Sequence, residues 1–352
     1  MVMAFRSHSV GAGRAARPNP TTDRLAHGRR NADPASRPLE CADFTEEDLP
    51  DLTGRTIVFT GADGHLGSRT VQELTQHGAD IVLTCRSRER GESALEAVRK
   101  ADPNARPKLV RLDLADPRSI RLAAERIGEL VGSVDVLVNN AGVMGIMHTE
   151  TADGHELQFA VNHLGHFALT GLLLPLLHRS PSARVVTVGS INHNDAMLRL
   201  DDVDYKRRHY TGMGAYAQSK LANMLFSAEL SRRFDAAGWN AISLAAHPGA
   251  AATGRYETVM PGFTNVREFF RYAVSGFANP VDEANRSMLY AIAMPDVVND
   301  DYLGPRQLGG IRGPVARAPR SRSAMDPGLA ARLWDLAVDL TGVDYAELAV
   351  RG

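Results

Sequence analysis

Short apolar runs alternate with longer segments of helical spacing along most of this chain. The runs are Thr56–Thr60, Ile81–Thr84, Lys108–Leu112, Val134–Val138, Arg184–Val188 and Ala241–Leu244. Near-continuous apolar strands are what a sheet covered on both faces requires. Between them, residues 65–77, 93–100, 117–131 and 154–177, and the stretch after Tyr216, read as helices. The third carries Ile120, Ala123, Ala124, Ile127 and Leu130 on one face, with Pro117 in its first turn, where proline is tolerated. Strand–helix alternation argues a parallel sheet with helices as crossovers. The expected fold is α/β, one doubly wound parallel sheet of about seven strands with helices on both faces. No internal repeat and no second domain is evident.

Composition bounds the function. The 352 residues suffice for one large domain, and 44% hydrophobic with 23% charged residues is ordinary for a globular chain. A net charge of −1 gives no argument for nucleic acid or an acidic membrane as partner. The two cysteines, Cys41 in a polar segment and Cys85 in a strand run, do not make a disulfide framework, and a reducing cytoplasm fits. No uncharged apolar run reaches the ~20 residues of a membrane span. The longest candidate, Ala168–Leu177, is short and contains Pro175.

Residues 1–45 are rich in Arg, Ala, Pro and Ser and lack periodicity, so they are expected to be a disordered tail. The first thirty are Arg-rich and acid-poor, as in organellar transit peptides. Pro18, Pro20, Pro34 and Pro38 break any amphipathic helix there, which favours a simple tail. Order is expected to begin near Phe44, with the domain over 46–345 and a short tail over 346–352.

Two stretches carry chemistry. Thr60-Gly61-Ala62-Asp63-Gly64-His65-Leu66-Gly67 follows the first strand and opens a helix. Such a turn lets backbone amides and a helix N-terminus meet a pyrophosphate, although glycine also serves any tight turn. Tyr216-Ala217-Gln218-Ser219-Lys220 opens an apolar helix. Positions four apart share a face, so phenol and ammonium meet there. A free tyrosine titrates near ~10, and a fixed cation beside it favours phenolate, giving a proton donor or acceptor usable near neutrality. The same spacing also arises by chance on ordinary helices. Ser190 ends the fifth strand, where open parallel sheets bind ligands, though a strand-end Ser is also a common turn residue. Asn162 lies mid-helix, an unfavourable place for Asn unless its amide has a task. His163 and His166 fit no metal pattern and read as polar positions on a packed helix.

Thr60-Gly61…Gly67, Asn139-Asn140-Ala141-Gly142, Asn162, Ser190, Tyr216…Lys220 and Pro248-Gly249 stand in the order of the short-chain dehydrogenase/reductase superfamily, which the chain resembles over residues 51–342. Val161-Asn162-His163-Leu164-Gly165-His166-Phe167, Ser219-Lys220-Leu221-Ala222-Asn223 and the long gap from Ser190 to Tyr216 are similar to its retinol-dehydrogenase-like branch. Phe44-Thr45…Gly54 and Arg332-Leu333-Trp334…Val343 resemble actinobacterial members.

The resemblance implies a Rossmann-type fold and an NAD(P)(H)-dependent oxidoreductase that interconverts a carbonyl and an alcohol. It implies Tyr216 as proton donor or acceptor, Ser190 as the group orienting the substrate oxygen, and Lys220 on the ribose and beside the tyrosine. It further implies Asn162 anchoring a water, Asp113 and Leu114 at the adenine, Asn140, Ala141 and Gly142 lining the cofactor, and Pro248, Gly249 and Thr253 over the nicotinamide. No metal is required. One departure stands in the turn. The branch has glycine where this chain has His65, while Gly64 restores the spacing of the extended members, so binding with an altered turn is expected.

The second strand ends in Thr84-Cys85-Arg86, without the acid that holds ribose hydroxyls in NAD-preferring members, and Arg86 can clamp a 2′-phosphate. NADP(H) is therefore expected over NAD(H), with Arg88 a second candidate cation. Tyr256, Phe263, Phe269, Phe270, Tyr272 and Phe277 stand in the family's lid region and suit a lipophilic substrate. They suit equally a helix packed on the core or on a partner, a second copy in a homodimer included. Two other readings stay open: a catalytically silent nucleotide-binding scaffold or sensor, for which His65 speaks, and reduction of a carbon–carbon double bond, as in light-dependent protochlorophyllide reductases.

Overall fold

The structure, a computed structural model, describes Leu39 and residues 43–249 and 281–348. Among the described residues, eight strands form one sheet: β1 Thr56–Thr60, β2 Asp80–Cys85, β3 Lys108–Arg111, β4 Val136–Asn139, β5 Ala183–Val188, β6 Ala241–Ala246, β7 Tyr302–Gln307 and β8 Arg312–Arg317. Their order is β3-β2-β1-β4-β5-β6-β7-β8, parallel throughout except for the antiparallel β7–β8 pair at one edge. The order reverses between β1 and β4, and the crevice at that switch point is where such sheets bind ligands.

Long helices cover the two faces: α1 His65–Gln76, α2 Arg88–Ala101, α3 Pro117–Leu130, α4 Leu157–His178, α5 Gly212–Ala237, α6 Val281–Ala293 and α7 Pro327–Thr341. Side-chain alternation along each strand divides the core in two. Val58, Val82, Leu137 and Val185 point to the face packed by α3, α4, α5 and α7. Ile57, Phe59, Leu83, Val138 and Leu244 point to the face packed by α1, α2 and α6. Within α4, residues Ala160–Leu164 make a π-helical turn between α-helical stretches.

Helix α4 is longer than the apolar run at 168–177 suggests. By length and composition it meets the requirement for a membrane span, because its polar residues are neutral, and 83% of its most apolar window is buried inside the fold. It is the central core helix. The buried set also reaches past both ends of the expected 46–345 domain: Leu39 is buried, Phe44 sets its ring edge-on to Tyr290 at 5.1 Å, and Leu348 is buried. The expected tail thus includes residues that pack. Cys85 is a free buried thiol on β2, and Cys41 lies outside the described residues.

Several histidines are sealed in this core. His163 stands among Phe159, Phe167 and Phe226, at ring distances of 5.2, 6.3 and 6.2 Å. Burial, and then the neighbouring His166, push its pKa down to about 3. Burial pushes His166 down to about 4 and His247 down to about 3.

Two outcomes follow from this packing. Phe44→Ala removes a buried ring and is expected to cost about 3 kcal/mol, a fall of roughly 6–12 °C in melting temperature. An unchanged melting curve would show that the segment before β1 is not docked. For the histidines, the folded pKa values lie below the unfolded value of about 6.5. Stability is therefore fullest above that pH and is lost as pH falls toward 4, by about 1.4 kcal/mol per pH unit for each group. Urea titrations at pH 7, 6 and 5 are expected to show a steep decline well before carboxylates titrate. A flat profile over that range rejects the assignment of these rings as neutral and buried.

Candidate functional site

The glycine-rich turn joins β1 to α1 at the switch point. Gly61 takes φ +69°, and a Cβ there would sit 2.8 Å from the Cα of Ala141, so the turn packs directly on the β4 end. Gly64 is different. Its φ of −81° suits any residue, and a Cβ there would meet only the Gly61 carbonyl at 3.5 Å. The protein leaves that space open. Gly64 is also the N-cap of α1, and no side chain caps the helix. An uncapped helix N-terminus beside open space fits the pyrophosphate of a dinucleotide. His65 and Leu66 form the first turn of α1, and the His65 side chain is exposed, so the departure at this position does not fill the turn.

The ends of β1 and β4 are locked together by Thr60. Its hydroxyl accepts the N–H groups of Asn140 at 2.8 Å and Ala141 at 3.0 Å, and lies 2.9 Å from His166 Nε2. His166 Nδ1 faces the Asn162 carbonyl at 3.1 Å, which can only accept, so Nε2 is left to accept from Thr60. The Asn140 amide donates to the Thr60 carbonyl at 2.8 Å.

Asn162 lies within the π-turn of α4 and is fully buried. Its amide grips the backbone of Val143, accepting N–H at 2.8 Å and donating to the carbonyl at 2.9 Å, and donates to Ser219 Oγ at 2.9 Å. A π-turn displaces one carbonyl from the helical ladder, a device frequent at functional sites. Here it sets Asn162 across the Val143 backbone next to Gly142, whose Cβ would lie 3.0 Å from Asn162 Oδ1 and 3.9 Å from Lys220 Nζ.

Tyr216 and Lys220 lie on the first turns of α5, whose N-cap Thr211 accepts Gly214 N–H at 3.1 Å. Lys220 is buried, its Nζ donating to the Val188 carbonyl at 2.8 Å and lying 5.7 Å from the Tyr216 ring centre. Val188 ends β5, and two residues on Ser190 caps a short 3₁₀ turn, accepting Asn192 N–H at 3.2 Å. His193 Nδ1–H holds the Ser190 carbonyl at 2.6 Å, and His193 Nε2 accepts Ser321 N–H at 3.2 Å. The structure thus brings Gly142, Asn162, Ser190, Tyr216 and Lys220 to one sheet edge.

The remaining expected residues divide. Asp113 and Leu114 follow β3; Asp113 is half-buried and accepts Ala115 N–H at 3.0 Å, while Leu114 is buried. Pro248 and Gly249 follow β6, with Gly249 at φ +71°. Thr253 and the aromatic stretch 254–280 lie outside the described residues. Arg86 is exposed beyond β2, and Arg88 pairs with Glu92 at 2.7 Å. The guanidinium that reaches the glycine turn is that of Arg90, whose Nε lies 2.9 Å from Asp63 Oδ2. Arg90 was not among the sequence candidates, since nothing local sets it apart from Arg86 and Arg88. Ser87 caps α2, accepting Arg90 N–H at 3.4 Å, and so puts Arg90 in the first turn of that helix. His193 was missed as well, since nothing local marks a histidine that acts on the backbone of Ser190.

Residues 55–261 match the family model described as short chain dehydrogenase. Retinol dehydrogenase 13 from Homo sapiens is 37% identical over 300 residues, covering 83% of this chain and 86% of the relative. Retinol dehydrogenase 11 from Homo sapiens is 33% identical over 295 residues, covering 83% and 87%. Among solved structures, an uncharacterized protein from Mycobacterium paratuberculosis is 39% identical, with a TM-score of 0.70, covering 86% of this chain and 98% of that one. With the switch-point turn, the Tyr216–Lys220 pair and these likenesses in agreement, the chain belongs to the short chain dehydrogenase family, in its retinol-dehydrogenase-like branch, and is an oxidoreductase of carbonyls and alcohols.

Proposed function

We propose that this chain reduces a lipophilic carbonyl, or oxidises the matching alcohol, with NADP(H) preferred over NAD(H). The observation that carries the reading is the buried Lys220, fixed by the Val188 carbonyl with its ammonium beside Tyr216 and the Ser190 strand end. A bound nicotinamide dinucleotide supplies or takes the hydride. Tyr216 donates its phenolic proton to the substrate oxygen in reduction and takes it back in oxidation. The Lys220 ammonium favours the phenolate form of that cycle. Ser190 Oγ orients the oxygen and stabilises its developing charge. Asn162 holds the Val143 backbone beside Lys220, and in this reading anchors the water that replenishes the proton.

A lipophilic substrate is supported by two exposed apolar side chains near the start of α5. Met213 stands three residues before Tyr216 and is 41% exposed, and Met147, beside the Ile146 carbonyl against which Gly212 packs, is 75% exposed. Flexible, polarisable side chains of this kind suit apolar ligands of irregular shape. The relatives named retinol dehydrogenases are named for a lipophilic alcohol. A reducing, cytoplasmic setting belongs to the same reading, supported by the free thiol of Cys85. The silent-scaffold alternative draws on His65, and its exposed side chain favours the enzymatic reading instead.

Tyr216→Phe is expected to lower turnover by about 10²–10⁴-fold while leaving coenzyme affinity nearly intact. More than half the wild-type rate in a carbonyl and alcohol panel would remove Tyr216 from the proton path. For the coenzyme, Arg86→Ala is expected to weaken NADPH by about 10- to 150-fold and NADH hardly at all. Fluorescence titration reads both constants. Equal weakening of the two coenzymes makes Arg86 a structural or general electrostatic residue and removes the main support of the NADP(H) preference, and a wild type that prefers NADH rejects that preference.

A further inference from the structure

Ser190 is the first residue past the ladder that holds its strand. Gly189 N–H still reaches the Ala246 carbonyl at 2.8 Å, and beyond it the chain leaves β5 for the 3₁₀ turn Ile191–Asp195. The direction of the Ser190 hydroxyl therefore depends on that turn. Its Oγ accepts Asn192 N–H at 3.2 Å and lies 3.2 Å from Asn192 Oδ1, both contacts being internal to the turn. His193 ties the turn to the rest of the fold. Its backbone N–H at 3.2 Å and its Nδ1 at 2.6 Å both meet the Ser190 carbonyl, while Nε2 meets Ser321 N–H at 3.2 Å.

These contacts fix the state of the ring. A backbone N–H can only donate, so Nε2 is the acceptor and Nδ1 carries the proton. An imidazolium would set one N–H against another at Ser321. His193 is 1% exposed, and burial holds its pKa below the usual range, which keeps the ring neutral. The far anchor is itself held. Arg320 Nη1 pairs with Asp300 Oδ1 at 2.7 Å, its Nη2 donates to the Asp300 carbonyl at 2.7 Å, and Ala318 N–H bonds the Tyr302 carbonyl at 2.7 Å. The Tyr302 ring stands edge-on to His193, 5.5 Å away at 89°.

We propose that His193 is a positioning residue for the reaction: in its Nδ1–H form it fixes the Ser190 carbonyl, and with it the direction of Ser190 Oγ, against the segment Ala318–Ser321. The imidazole acts through Ser190 and not on the substrate. Its loss frees the backbone of Ser190 to turn, and the hydroxyl no longer meets the substrate oxygen beside Tyr216. The proposal rests on the role given to Ser190 in the preceding reading.

The test is a double-mutant cycle, run with the panel compound that wild type turns over fastest. His193→Phe keeps a ring in place and deletes both side-chain hydrogen bonds, and His193→Asn restores a donor for the Ser190 carbonyl. His193→Phe is expected to lower kcat by about 10- to 100-fold with KM nearly unchanged, and His193→Asn to recover most of that loss. In the Ser190→Ala background the same His193→Phe change is expected to move kcat by less than about twofold. An equal loss in both backgrounds, or a change in KM alone, makes His193 a structural residue and overturns the proposal. A Ser190→Ala variant as fast as wild type refutes the preceding reading of Ser190 and takes the proposal with it. NMR of the full-length wild type with isotope-labelled histidine decides without any turnover. The resonance absent from His193→Asn is expected to show the neutral Nδ1–H tautomer at neutral pH. An Nε2–H tautomer or an imidazolium there overturns the proposal and leaves the reading of Ser190 standing.

Discussion

The Thr60 hydroxyl is the contact on which the site geometry depends. It stands at the C-terminal end of β1, the strand next to the switch point, and meets Asn140 N–H, Ala141 N–H and His166 Nε2 within 3.0 Å. Three elements are fixed by one buried oxygen: the glycine turn, the β4 end and helix α4. Parallel strands leave their terminal carbonyls and amides without ladder partners, and a buried polar group left so costs about 1–3 kcal/mol. Thr60 and Asn140 satisfy each other's ends, the Thr60 hydroxyl accepting the Asn140 N–H and the Asn140 amide donating to the Thr60 carbonyl. His166 carries the same linkage to the Asn162 carbonyl, so the position of the glycine turn and that of the π-turn are not independent.

That linkage explains why polar residues occupy a helix as buried as α4. Asn162, His163, His166 and Thr170 are each almost wholly inaccessible. Asn162 serves Val143, His166 serves Thr60, and Thr170 Oγ1 accepts from the Asn139 amide at 3.1 Å. One side of the helix thus acts as a polar clamp on the ends of β1 and β4, while Phe159, Phe167 and Leu169 fill the core. His163 is the exception. It sits among aromatic rings, and its neutral form is the one the core accepts.

Much of this was legible in the chain because the first six strands are plain apolar runs. The last two were not. Strand β7 contains Gly304 and Pro305, and β8 contains Gly313 and Pro314, residues that demote a strand in any pattern reading. Strand β8 is the edge of the sheet, β7 pairs with β6 only through Tyr302 and Leu303 so that Gly304 and Pro305 lie past that ladder, and the β7–β8 register slips between Pro305 and Gln307. Gly304 has a tertiary reason: the imidazole of His247 occupies the space where its Cβ would stand. Local pattern cannot reveal a contact 57 positions away in the chain, the difference between His247 and Gly304. The Tyr216–Lys220 pair was legible because four-residue spacing fixes its geometry locally. Arg90 was not, because its role depends on where α2 begins, and that start is set by the Ser87 cap rather than by apolar spacing.

The residues after β6 show why the site needs a chain that continues far beyond its motifs. Trp334 on α7 packs edge-on to Phe167 of α4 at 5.0 Å and stacks with Phe226 of α5 at 5.9 Å. Tyr345 closes the group, 4.8 Å from Phe167 and donating its hydroxyl to the Phe167 carbonyl at 2.6 Å. Phe167 stands five positions after Asn162, and Phe226 six after Lys220. The aromatic cluster therefore joins the helix that carries Asn162 to the helix that carries Tyr216 and Lys220. A proton relay requires its groups at hydrogen-bond distance, and a displacement of about 1 Å in such a constellation costs on the order of 100-fold in rate. Two helices held only by their contacts with the sheet can slide along it. The C-terminal aromatics add to the Asn162–Ser219 hydrogen bond in removing that freedom, so the spacing between Asn162 and Lys220 also depends on packing that neither motif contains.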